Sequence, residues 1–198
     1  MSAASDSAAL RPDAVADLAR TRRSPARFDA SVPVDPALLR SALDAATFAP
    51  NHKRTEPWRF YVLGPETRAA LVDLNATVFA ERQGEEIGEA RRRAWSEIPA
   101  FVVVTQRASA SADAVRERED YAAIACAVQN LSLVLHAGGI GVRWTTGPVT
   151  RDARLAAVVG FDAAEESVAA LLHIGAPAAD LPARPPRKGV DEVARWRP

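Results

Sequence analysis

Two short basic segments carry most of the groups in this chain that could do chemistry. The first, Arg22-Arg23-Ser24-Pro25-Ala26-Arg27, sets guanidinium groups beside a hydroxyl. A guanidinium can grip phosphate oxygens in paired hydrogen bonds, and a hydroxyl adds a short donor. The second runs Ala49-Pro50-Asn51-His52-Lys53-Arg54-Thr55-Glu56-Pro57-Trp58-Arg59-Phe60. Pro50 and Pro57 bracket it and resist regular structure, because each fixes φ and lacks an amide proton. A rigid basic loop between core elements presents polar groups to an anionic or planar ligand. Together the two segments suggest a bound phosphorylated cofactor. On residue chemistry alone, Arg22 to Ser24 reads equally well as a solvated helix end with cations near its C-terminal dipole.

The elements that must position these groups follow from hydrophobic period and punctuation. Asp13 to Arg20 reads as a first helix, with Val15 and Leu18 on one face. Asp35-Pro36 starts a second, since a carboxylate can cap free amides while proline occupies the first turn. Leu38, Leu39, Ala42, Leu43 and Ala46 carry it to the stop at Ala49-Pro50. Phe60 to Leu63 reads as a strand ended by Gly64-Pro65, and a helix follows through Leu71, Leu74 and Val78. The charged stretch from Ala80 to Ser96 reads as a mobile helical excursion outside the core. Phe101 to Val104 is a short, β-branched, buried strand, and Ala108 to Arg116 a surface loop.

The longest helix is expected from Glu119 to Ala137, apolar around most of its circumference and so buried on several sides. It stops at Gly138-Gly139, residues suited to a left-handed turn. Val142 to Trp144 then enters a strand or extended connection. Thr150 is placed to cap a short helix through Val159 that Gly160 closes, and Val168 to Ile174 is a last strand. The tail from Ala178 is rich in proline and arginine. Its amphipathic end, Val190 to Trp196, is expected to dock on a partner subunit.

At 198 residues the chain can build one substantial core, and its length gives no reason for two domains. Twenty-five basic and 25 acidic residues cancel, so no global field favours nucleic acid. No run reaches the roughly 18 apolar residues of a membrane span. Met1 to Ala9 lacks the order of a signal peptide and reads as a short disordered lead. The single cysteine, Cys126, excludes an intramolecular disulfide and suits a reducing cytoplasm. It lies in an alanine-rich run and reads as a small buried residue. His52, His136 and His173 make no convincing metal set, and the last two read as core or interface histidines. Trp58 reads as a core filler. There is no Ser-His-Asp or Cys-His set and no glycine-rich dinucleotide fingerprint after a strand.

Arg22-Arg23-Ser24, Ala49-Pro50-Asn51-His52-Lys53, Pro57-Trp58-Arg59-Phe60 and Gly138-Gly139-Ile140-Gly141-Val142-Arg143-Trp144 occur in an order that resembles the nitroreductase family of flavin-dependent oxidoreductases. The His-Lys pair in the middle loop is similar to the compact bacterial branch of NAD(P)H nitroreductases. The resemblance spans Arg20 to Trp196. It implies one α+β, nitroreductase-like domain over residues 1–198, with a central mixed, mainly antiparallel sheet flanked by helices. It also implies a homodimer with FMN at the subunit interface.

By the same resemblance, Arg22, Arg23 and Ser24 hold the FMN phosphate and ribityl chain, and His52 contacts the flavin. Trp144, Thr145 and Thr146 form a further cofactor segment, and Arg187, with Lys188, reaches the phosphate. The implied activity is hydride transfer from NADH or NADPH through flavin to a nitro compound, quinone or other electron-poor acceptor. No side chain is required as a nucleophile, since such chemistry belongs mainly to the cofactor. Three positions depart from the family pattern: Glu56 for a glutamine, Ala26 for a lysine and Phe48 for an arginine. They bear on the electrostatics at the flavin edge. Two alternatives stand beside this reading: a flavin-fragmenting or dehalogenating enzyme of the same fold, and a non-enzymatic flavin-binding dimer. Neither nucleic acid nor membrane is an expected partner.

Overall fold

Phe101, Val102, Val103 and Val104 are fully buried, and the sheet is built around them. Because side chains alternate across a strand, Val102 and Val104 enter one apolar cluster while Phe101 and Val103 enter another on the opposite face. In the computed structural model, which describes residues 11–108, 113–178, 181, 184 and 186–197, this strand is β2 (Ala100–Arg107). It lies beside β1 (Trp58–Val62) and β4 (Glu166–Gly175), and β4 in turn pairs with β3 (Gly141–Thr145). The order is β1-β2-β4-β3 and every pairing is antiparallel, the main component of the expected sheet. β3 is thus an edge strand, with Arg143 opposite His173. The expected lead from Met1 to Ala9 lies outside the described residues.

One face of the sheet is covered by α2 (Pro36–Thr47) and α5 (Ala114–Ala137). Asp35 caps α2 as expected, accepting a hydrogen bond from the Ala37 amide at 2.9 Å. Ala42 and Ala46 are fully buried, and these short side chains let α2 approach α5 and its Ile124, Leu131 and Leu135. α5 ends at Ala137 with Gly138 as its cap, and Gly139, with φ of +78°, makes the anticipated left-handed turn. α1 (Pro12–Thr21) lies before this layer, reaching α5 through a hydrogen-bond contact between His136 Nε2 and Thr21 Oγ1 at 3.1 Å.

The other face is covered by α3 (Pro65–Gln83), with α4 (Glu85–Ser96) packed on it, and by α6 (Arg154–Val159). Here several expectations need correction. Ala80 to Ser96 is no loose excursion: it is the end of α3 and a second helix docked against it. Gly88 is buried in that contact, where an added Cβ would stand 2.8 Å from the Ala76 carbonyl oxygen and from Ala80 Cβ. Trp95 of α4 packs on Phe101 and His173, with ring centroids 5.4 and 4.8 Å apart. α5 starts earlier than its apolar pattern indicates, at Ala114, because Asp113 accepts from the Val115 amide at 2.9 Å and caps it. Thr150 does not cap α6. Its hydroxyl donates to the Gly147 carbonyl at 2.8 Å within a 3-10 turn (Pro148–Arg151), and Asp152 accepts from the Arg154 amide instead.

Cys126 is exposed, contrary to the expected burial. α5 turns Ala123, Ile124, Ala127, Val128, Leu131 and Leu135 into the protomer. Ala122, Cys126 and Gln129 consequently form an outward stripe. The short α7 (Val190–Val193) also leaves its apolar side in solvent, and Trp196 is 83% exposed. No helix among the described residues is long and apolar enough to cross a membrane.

Candidate functional site

Arg22 follows α1 directly, and its amide closes the helix on the Leu18 carbonyl at 3.1 Å. The chain then passes the start of β3. Pro25 lies so close to Gly141 that a Cβ there would collide with its ring, which is why only glycine serves at the start of this strand. Past Pro25, the Asp29 amide donates to the Ala176 carbonyl at 2.9 Å and the Ala178 amide to the Arg27 carbonyl at 3.2 Å. The first basic segment is therefore tied both to the glycine turn after α5 and to the start of the C-terminal tail.

These ties bring Arg22, Ser24 and Trp144 to one cavity of about 120 Å³, walled also by Gln129, Ser132 and Val142. Arg22 Nη1 donates to Ser24 Oγ and to the Arg23 carbonyl, both at 3.1 Å, which fixes the guanidinium at the cavity wall. Ser132 spends its proton on the Val128 carbonyl at 2.7 Å, leaving its oxygen as an acceptor. Trp144 sits on the α5 side of β3, its ring 6.3 Å from that of Tyr121.

The electrostatics are lopsided. Burial lowers the Arg22 pKa, and the charge of Arg187 lowers it further. Burial and then Arg22 lower the His136 pKa, which favours the neutral ring. Neither Arg22 nor Arg187 has a carboxylate partner among the described residues. Two guanidinium groups that feel each other's charge, with the Ser24 hydroxyl beside one of them, are the kind of donors that suit an anion.

Thr145 and Thr146 extend from Trp144 in different ways. The Thr145 hydroxyl donates to the Leu171 carbonyl at 3.1 Å, on the opposite face from the Arg22 cavity, so what it offers that cavity is backbone. Thr146 is exposed, with no side-chain hydrogen bond among the described residues.

His52 belongs to a separate cluster. It opens a 3-10 turn (His52–Arg54), and its Nδ1 lies 2.9 Å from Glu119 Oε2 near the start of α5. Arg116 reaches the same carboxylate at 3.6 Å and donates to the His52 carbonyl at 3.3 Å. Thr55 donates to the buried Asp120 at 2.6 Å. Between these anchors Lys53, Arg54 and Glu56 have φ of +61°, +52° and +43°. Left-handed backbone is disfavoured for such residues and persists where the surroundings over-determine it. Lys53 and Arg54 are exposed as a result. No residue of this loop lines the Arg22 cavity of its own protomer.

The sequence reading missed Gln129 and Ser132. Two polar residues three apart in the alanine- and leucine-rich half of α5 share a face, and that spacing could have revealed them. Glu119 and Asp120 were missed too, because adjacent carboxylates at a helix start read as favourable dipole charges.

The Nitroreductase family profile matches residues 19–176. YfhC of Bacillus subtilis (strain 168), named provisionally as an NAD(P)H nitroreductase, is 30% identical over 165 residues, covering 81% of this chain and 83% of its own. A nitroreductase-like family protein from Bacillus cereus superposes with a TM-score of 0.81 at 28% identity, over 92% of this chain and 95% of the other. A provisionally named nitroreductase from Desulfovibrio desulfuricans, solved in complex with FMN, has a TM-score of 0.71 at 25% identity, over 95% and 98% of the two chains.

Proposed function

Because this chain belongs to the nitroreductase family, we propose that it is an FMN-dependent oxidoreductase that takes hydride from NADH or NADPH and reduces a nitro compound, quinone or other electron-poor acceptor. The observation that carries the reading is Arg22, held on Ser24 at the cavity wall with no carboxylate partner among the described residues, and close enough to feel the charge of Arg187. That donor set fits the phosphate of FMN, with Arg23 beside it in the same segment. When bound, FMN supplies two-electron chemistry between a nicotinamide donor and an acceptor.

The chain's own residues bind and orient. Arg22, Ser24 and Arg187 hold the phosphate end, and Gln129 and Ser132 face the polar chain that follows. Trp144 and the backbone of Thr145 and Thr146 border the ring, whose developing charge is served by fixed donors. A cavity of about 120 Å³ is well below the few hundred Å³ of sites that enclose whole ligands. The remaining wall is assigned to a second copy. Its strained loop would bring His52, Lys53 and Arg54 to the ring, which accounts for a basic loop that does not line the Arg22 cavity of its own protomer. The outward stripe of α5 and the undocked α7 and Trp196 supply the surface for such a homodimer. A cytoplasmic location, where NAD(P)H is available, belongs to this reading.

The test is an absorption spectrum of the purified protein after addition of FMN and gel filtration, followed by anaerobic NADH and NADPH. The expected result is a retained flavin band that bleaches with one or both donors. Protein that emerges without flavin would overturn the reading.

A further inference from the structure

A larger cavity, of about 520 Å³, lies on the opposite face of β3 from the Arg22 site. Its apolar walls include Phe28, Trp95 and Ile98. His173 also lines it, although only 4% exposed. One His173 nitrogen, Nε2, is 3.5 Å from Thr145 Oγ1, and the other has no hydrogen-bond partner among the described residues. Burial, and then Arg143, lower its pKa to about 3, so the ring is neutral and has one unused polar atom. An unpaired ring nitrogen of a residue that lines a cavity is available to a polar group of a ligand.

The rim is cationic. Arg27, Arg91, Arg93 and Arg143 border the cavity, against the single carboxylate of Glu97. Arg91 is engaged, its guanidinium 4.4 Å from the centre of the Phe79 ring. Arg143 has one long contact, Nη1 to the Ala26 carbonyl at 3.4 Å. The Arg27 and Arg93 side chains have no hydrogen bond or ion pair among the described residues. The volume lies within the range of small-molecule sites. Planar apolar walls, one neutral polar atom at the floor and uncommitted guanidinium groups at the mouth match a flat molecule with an anionic end.

We propose that this cavity is a second binding site, separate from the cofactor site, for a small aromatic carboxylate. The ring stands against Trp95 and Phe28, the carboxylate meets Arg93 and Arg143, and a ring substituent can pair with His173. The cavity shares no lining residue with the Arg22 cavity, and Ala26, a position that the family resemblance sets near the flavin edge, lies on its wall.

Calorimetric titration with benzoate tests it, on the full chain with and without added FMN, alongside benzyl alcohol and acetate as controls. Saturable benzoate binding is expected, equal with and without FMN, leaving any flavin band unshifted, and exceeding that of both controls. The double variant Arg93→Gln, Arg143→Gln should weaken it by about tenfold or more, as loss of charge-assisted hydrogen bonds implies. Both side chains are exposed, so the variant should keep its fold, and a circular dichroism melt checks this. Three results would overturn the proposal: no benzoate binding, binding that shifts the flavin band and survives the double variant, or binding that emerges only when residues 190–198 are removed. The last would make the cavity a seat for the chain's own tail.

Discussion

Arg22 and Arg187 repel each other in the protomer, and a phosphate dianion placed between them would turn that repulsion into two charge-assisted contacts. Arg22→Ala should therefore weaken FMN binding by about 1.5–3 kcal/mol, the usual worth of a hydrogen bond to a charged group. Quenching of FMN fluorescence on titration measures this, and a folded variant with unaltered affinity would refute the assignment. The histidines behave differently because burial dominates. With its folded pKa lowered from 6.5 to about 3, His173 takes up a proton more readily in the unfolded chain. Its contribution to stability is complete above pH 6.5 and is lost as the pH falls towards 3. Between pH 7 and pH 5 that loss should reach about 2 kcal/mol. Urea melts of the wild type and His173→Gln at the two pH values should show the smaller pH effect in the variant. Equal slopes would mean that His173 is not buried neutral.

Helices α3 and α4 meet through Gly88, and no side chain can be added there without moving backbone. Gly88→Ala should cost about 1–3 kcal/mol, the range of overpacking, despite alanine's better helix propensity. A urea melt at or above wild-type stability would show that the hairpin gives way freely. This pair of helices also marks the limit of what could be read from sequence. Strands β2 and β4, the Asp35 cap and the turn at Gly139 were legible because each rests on local chemistry: a run of apolar residues, a carboxylate before proline, a glycine after a helix. α4 was misread because its charges dominate the pattern, while a single glycine and Trp95 carry its docking. Asp113 and Asp152 accept from the first amides of α5 and α6, bonds that an apolar period does not carry. Arg22, Ser24 and Trp144 line one cavity. His52 lies elsewhere in the same chain, and no local pattern distinguishes a contact within one protomer from one across two.

The two basic segments lie apart in the protomer, the central helix has an outward stripe of Ala122, Cys126 and Gln129, and the tail leaves Trp196 in solvent. Joined in the proposed homodimer, these features make a single prediction with separable parts. Cys126 is exposed in the protomer, so Cys126→Glu should leave the fold of each subunit intact. If the stripe is the interface, the new charge would be buried against its own symmetry copy, where an unpaired carboxylate costs several kcal/mol. Light scattering should then find monomers where the wild type gives dimers. Because the flavin wall is assigned to both copies, the same variant should lose FMN although Arg22, Ser24 and Arg187 are untouched. A monomeric variant that retains flavin would place the whole cofactor site within one chain and leave the strained loop at His52 to another role. A dimeric variant would move the interface away from α5, to the tail and the free edge of β3.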